Sequence, residues 1–263
     1  MKPLRSIALL ALAAVSLAST PANAADASPQ ESAASDTPGT VIAAMPADLE
    51  TRFALSALPR ALRDEASVYL LDPDTGYRLT HEGSSGLACL VVRTQWELVD
   101  FRDDIYWAAC YDSVGIGAHF KAILDTAAMR AQGMSPEALK DEIERRYEEG
   151  INRAPEKPGL SYMIAPVMRA IGPPDLQVHT MAMPHFMSYA PGATNADIGA
   201  KPDLADPASL MSPFIAPQGH SAQSYMIHMV GAAEKAAILA DEQALLKDLC
   251  AYRDVLCLAH AAH

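Results

Sequence analysis

The sequence predicts an α+β fold, an antiparallel sheet with helices packed on it in a single domain, and three observations carry that expectation. Short apolar or alternating runs fall between turn signals over residues 67–92, which is how strands and hairpins are spelled. Stretches with helical period occupy 114–132, 135–150 and 242–256. Between the last two lie further short strand-like runs separated by loops rich in Pro and Gly. Along the chain, residues 1–24 read as a signal peptide, 25–46 as a flexible leader, 47–258 as the globular domain and 259–263 as a tail.

Lys2 and Arg5 precede an apolar run from Ile7 to Ala18, and Ala22-Asn23-Ala24 supplies small residues for cleavage after Ala24. The run is too short to span a bilayer, and no later stretch reaches the ~18 apolar residues a transmembrane helix needs. No cysteine stands near the cleavage point to take a lipid, and the charged start lacks an Arg-Arg pair, which favours general export. A soluble protein of the periplasm or the secreted fraction is expected. The leader is rich in Ala, Ser, Pro, Asp and Thr without an apolar period, a composition that cannot bury enough surface to offset ordering.

Asp48 or Thr51 can cap a first helix bearing Leu49, Phe53, Leu55 and Leu58 until Pro59 interrupts it. Ser67–Leu71, the turn Asp72-Pro73-Asp74-Thr75-Gly76 and Tyr77–Thr80 form a hairpin by their turn chemistry. Gly83-Ser84-Ser85-Gly86 then leads into Leu87–Val92, a run suited to a central strand, so three consecutive antiparallel strands are expected to nucleate the sheet. Trp96–Tyr111 has no clear period. Val114–Gln132 reads as a helix with Phe120, Ile123, Leu124 and Ala127 on one side, ended by Gly133. Ser135-Pro136 is an N-cap followed by Pro at the first helical position, with Leu139, Ile143 and Tyr147 as the stripe and Gly150 as the stop. Short strands are expected at Ser161–Ile164, Leu176–Met181, His185–Tyr189 and Ser224–Val230, and a closing helix at Glu242–Leu256.

The formal net charge is −12, and loss of Lys2 and Arg5 with a signal peptide would make it more negative, which argues against nucleic acid as a partner. Cys89, Cys110, Cys250 and Cys257 form an even set suited to an oxidising compartment. A Cys89–Cys110 disulfide is the favoured pairing. Cys250 and Cys257 would lie roughly 10 Å apart on one continuous helix, so their bridging requires the helix to end between them. No C-x-x-C, H-E-x-x-H, Walker loop or G-x-G-x-x-G occurs.

The sharpest chemical signal is a period-two run in which His179, Met181, Met183, His185 and Met187 would share one face of an extended strand. Thioether and imidazole are donors that suit Cu(I). Pro184 divides the run, because a strand interior does not accept proline, and the candidate site contracts to His185 and Met187. His220 and His228 complete a candidate metal set of His185, Met187, His220 and His228, with Met226 beside His228 on the later strand. Alternating Met also reads as one buried face, because Met fills irregular cores.

Gly86-Leu87-Ala88-Cys89, Gly159–Ile164, Met183–Pro191 and Pro213-Phe214-Ile215 resemble a group of uncharacterised exported bacterial proteins, which implies an exported single domain and transfers no catalytic residue. Met163, 21 intervening residues and then His185-Phe186-Met187 resemble half of the M-x21-H-x-M motif of periplasmic copper chaperones of the PCuAC type. That resemblance implies copper and adds Met163 to the ligand candidates. Ile151-Asn152 stand where the motif's preceding His-Met pair would fall, and helices at both ends depart from that family's all-β fold.

Three functions follow as expectations. The first is binding of copper, or of another soft metal or small ligand, in the loop-rich region around His185 and His220. The second is a hydrolase-like enzyme using Asp112, His119, His185 or His220, which requires a histidine hydrogen-bonded to a carboxylate in a cleft. The third is a protein-binding module without an active site.

Overall fold

A computed structural model describes residues 39–258; the expected signal peptide, the first part of the leader and the tail lie outside the described residues. Ten strands and the helices around them give an α+β architecture. Eight strands form one sheet in the order β2-β1-β3-β4-β5-β8-β10-β9, and β6 and β7 form a separate two-stranded hairpin. Their bounds are β1 Ser67–Asp72, β2 Gly76–His81, β3 Ala88–Val92, β4 Trp107–Tyr111, β5 Leu160–Met163, β6 Met168–Gly172, β7 Gln177–Met181, β8 His185–Tyr189, β9 Phe214–Ala216 and β10 Tyr225–Met229.

The hairpin β1–β2 forms as its turn predicts. The expectation of three antiparallel strands is corrected, because β3 pairs parallel with β1. β2 lies on the outer side of β1 and ends where β1 begins, so β2 itself serves as the crossover that a parallel connection needs. The link that follows passes so close to the start of β1 that a Cβ on Gly83 would stand 2.1 Å from the Glu65 carbonyl oxygen, which excludes any larger residue there. β4, in the stretch without a period, occupies the middle of the sheet and is buried at every position. Burial on both faces leaves no alternation to read.

Two apolar layers clothe the sheet. On one face, α1 (Ala47–Ser56) sets Leu49, Phe53 and Ala54 against Val68, Cys89, Val91 and Cys110, and α6 (Gln243–Tyr252) adds Leu245 and Leu249. On the other, Phe120 packs over Leu90, Val92 and Tyr111, and this cluster continues through Met163 and Met187 to Tyr225 and Ile227. The predicted helix over 114–132 is present but interrupted: α2 (Ser113–Gly115) and α3 (Lys121–Ala131) flank one π turn, Ile116–Phe120. In α4 (Pro136–Glu148) the Ser135 hydroxyl accepts from the Ala138 amide and Pro136 takes the first position, as the sequence predicts.

The expected closing helix is shorter than predicted, and a helix that the sequence did not signal precedes it. α5 (Ala232–Asp241) has no buried residue and so no stripe to read, whereas α6 ends at Tyr252. Arg253 is extended and a 3-10 turn, Asp254–Leu256, brings Cys257 back to Cys250 with Cα atoms 4.4 Å apart in a disulfide. Cys89 and Cys110 face each other across β3 and β4 and form the other disulfide. Within the span read as leader, Met45 is buried and the Thr40 and Ala43 carbonyls accept from Arg130 and Arg93, so contacts with the domain begin before Ala47. No helix among the described residues is long and apolar enough to cross a membrane.

Candidate functional site

Pro184 splits the His/Met run between two sheets, with Gln177–Met181 in the small hairpin and His185–Tyr189 in the main sheet. His179 is therefore separated from His185; its Nε2 lies 2.6 Å from the Asp175 carboxylate at the turn of the small hairpin. That pair is partly exposed.

His185 begins β8 and is 95% removed from solvent, at 5% relative exposure. Register places it opposite Met163 on β5 and opposite Met229 on β10. Register partners share a face, with Cβ atoms roughly 4.5–5.5 Å apart, so a Met-His-Met row crosses three neighbouring strands. His185 and Met163 also line a cavity of about 160 Å³ that Met168 and Met183 enter from the small hairpin and its exit, with Phe214 and Ile227 in its walls.

The imidazole is oriented by one hydrogen bond. His185 Nδ1 lies 2.7 Å from the Met183 carbonyl oxygen; a carbonyl only accepts, so Nδ1 carries the proton and Nε2 keeps its lone pair. Burial holds the His185 pKa below the usual histidine range, with the Met183 hydrogen bond opposing more weakly, which favours the neutral ring. A neutral imidazole fixed through one nitrogen is the form in which histidine binds metals.

The rest of the expected metal set does not join it. Met187 shares the face of His185 but is wholly buried in the apolar layer and does not line the cavity. His228 pairs with Phe186, one position out of phase with His185, so it projects from the opposite face, where its Nε2 lies 3.1 Å from the Ser188 hydroxyl. His220 stacks on Tyr147 with ring centroids 4.4 Å apart, and its Nδ1 accepts from the Ala222 amide. In their place stand Met163, Met168 and Met183 from the cavity lining, with Met229, which like Met187 does not line the cavity but pairs with His185 across the strands. Met168 lies on β6, which has no strand signal in the sequence, and Met229 falls beside His185 only through the register of β10.

A second buried histidine marks a different kind of place. His119 sits in the π turn at 0% exposure, its ring 5.1 Å from Tyr189 and 4.7 Å from Tyr225 by centroid. Neither ring nitrogen meets a protein hydrogen-bond partner, and burial pushes its pKa down to about 4. Asp112, expected as its possible partner, is committed elsewhere: it caps α2 through the Val114 and Gly115 amides, accepts from the Leu160 amide, and receives the Tyr189 hydroxyl. His119, His185 and His220 thus stand in three separate settings, and none of the three has a carboxylate partner among the described residues.

All four cysteines are disulfide-bonded, so they offer no thiolate. Among the described residues, no group of three or more His, Cys, Asp or Glu side chains is placed to hold a metal. The donors gathered at His185 are one imidazole nitrogen and thioether sulfurs. No protein-family model, no curated protein and no solved structure matches the chain.

Proposed function

We propose that this protein, exported to an oxidising compartment, binds a Cu(I) ion at His185, with Nε2 and thioethers from Met163, Met168, Met183 and Met229 as the donor pool. The observation that carries the reading is the Met163-His185-Met229 row, joined to the cavity that Met168 and Met183 complete. Cu(I) is soft and monovalent, so thioether and neutral imidazole satisfy it without a carboxylate. Disulfides consume the thiolates that would otherwise compete, and methionine sulfur remains available where cysteine is oxidised. Divalent ions that need carboxylate or several histidines would find no such set here.

Anaerobic Cu(I) titration against a competing chelator tests the reading. One equivalent at submicromolar Kd is expected, with a rise in Tm on loading because the ion binds only the folded chain. Met163→Leu should weaken binding at least tenfold, and His185→Asn should weaken it further. Unchanged affinity in both variants, or no binding tighter than micromolar in the parent, would overturn the assignment. A second reading rests on the apolar walls from Phe214 and Ile227 around a single lone pair: a small apolar ligand donating one hydrogen bond to His185 Nε2. Tm shifts with small alcohols or phenols in a protein that ignores Cu(I) would favour it.

A further inference from the structure

We infer a second, independent ligand site: the cavity between α3, β3 and the Thr40–Ile42 segment is built to take a small organic carboxylate, with Arg93 and Arg130 as its anion-recognising groups. The cavity measures about 410 Å³, within the usual range for small-molecule sites. Its walls are mixed: Val92, Phe101, Ile123 and Met134 supply apolar surface, Thr94, Ser135 and the carboxylate of Asp74 supply polar surface, and the two arginines line it together.

Both guanidiniums are charged, and their bonding is incomplete. Arg93, at 2% exposure, donates from Nε to the Ile105 carbonyl, from Nη1 to Ala43 and from Nη2 to Asp103. Arg130 donates to the carbonyls of Arg93, Thr40 and Arg102 and to the Thr94 hydroxyl. These acceptors are neutral, and no carboxylate stands within 4.0 Å of either guanidinium among the described residues. A guanidinium carries five N–H groups. Arg93 therefore keeps two without a partner and Arg130 keeps its Nε–H.

Neither guanidinium has a directly paired carboxylate, and the acids that act on them, Asp100 and Asp103 on Arg130 and Glu50 on Arg93, do so from longer range. Each instead faces an aromatic ring, Arg93 over Tyr106 at 3.8 Å and Arg130 over Phe101 at 4.3 Å. Burial and the proximity of Arg93 push the Arg130 pKa down to about 10, which is the electrostatic sign of a site that would gain from an anion. A planar carboxylate matches the guanidinium fork, and the apolar walls call for a hydrocarbon body behind it. Thr40 and Ala43 tie the segment that forms one wall to both arginines, so ligand and wall share the same cations.

Isothermal titration of the full protein with hexanoate and benzoate, against hexanamide and benzamide as neutral isosteres, decides the matter. Carboxylate binding at micromolar to low-millimolar Kd, at least tenfold tighter than the amides, is expected. Arg130→Gln should erase that preference while leaving Cu(I) affinity unchanged, which separates this site from the one at His185. Ala127→Leu, which fills the cavity from α3 and retains both charges, should abolish binding of all four compounds. Equal affinity for acid and amide, binding unaffected by Ala127→Leu, or no carboxylate binding up to 10-fold above the low-millimolar range would overturn the inference.

Discussion

His119 and His185 are both buried, both pushed toward the neutral form and both set against the same face of the sheet, yet they are opposite in chemical availability. His185 has one nitrogen fixed on the Met183 carbonyl and the other beside a cavity lined by thioethers. His119 has neither nitrogen satisfied, and tyrosine rings enclose it. Burial by itself makes a histidine an apolar filler that carries a desolvation cost. A single hydrogen bond that fixes the tautomer leaves the other nitrogen free to accept.

The largest expected effect is electrostatic. The pKa of His119 in the fold, about 4, lies below its ordinary value of 6.5, so the unfolded chain binds the extra proton first and stability falls as pH drops through that window. Glu50 has the opposite sign. Burial against β1, opposed by its hydrogen bond from the Leu71 amide, raises its pKa from 4.5 to about 7. The folded state then holds the extra proton, so that stability is present below pH 4.5 and lost as pH rises through 7. The two windows overlap and their slopes oppose, so Glu50 offsets part of the acid sensitivity that His119, and His185 with it, confers on the parent. Glu50→Gln should unmask a loss of about 2–3 kcal/mol on acidification from pH 7 to 4.5, measured by urea denaturation. Adding His119→Phe should remove the His119 share of that slope and leave the share of His185, whose pKa is lowered in the same direction, and a slope that survives intact would mean that His119 is not a buried proton acceptor.

Metal affinity sharpens the same contrast at slightly smaller scale. His185→Asn should cost at least 100-fold in Cu(I) affinity, about 2.7 kcal/mol, whereas His119→Phe should leave it unchanged. Equal losses in both variants would show that the two histidines act through the fold and not through a bond to the ion.

How much of this was legible in the sequence depends on where the signal is stored. Local chemistry was readable: the Asp-Pro-Asp-Thr-Gly turn, the Ser135-Pro136 helix start and the break at Pro184 all follow from residues within a few positions of one another, while the Cys89–Cys110 pair, 21 residues apart, followed from the even cysteine count and the poor geometry for a Cys250–Cys257 bridge on one helix. The parallel pairing of β1 with β3 was not, because it depends on which side of β1 the hairpin leaves free. β4 and α5 failed for opposite reasons: one is buried throughout and the other nowhere, so neither has a periodic face. In the site, His185 could be found from the run, and Met163 from the resemblance to the M-x21-H-x-M half-motif. Met229 could not, because His228 and Met229 exchange faces with a one-residue change of register, and only the pairing with β8 fixes which of them stands beside His185.

The smallest effect separates the two nitrogens of His185 itself. An asparagine amide can place its NH₂ close to where Nδ1 stands and continue donating to the Met183 carbonyl, but it has nothing at the position of Nε2. His185→Leu fills similar space and removes the donor as well, which leaves a buried carbonyl without its partner at a cost of about 1–3 kcal/mol. His185→Asn should therefore be the more stable of the two by about 1 kcal/mol in urea denaturation, although both lose Cu(I). Equal stabilities would mean that the Nδ1 bond contributes nothing to holding β8 at the exit of the small hairpin. The fixed tautomer would then be a consequence of the site's shape and not its cause.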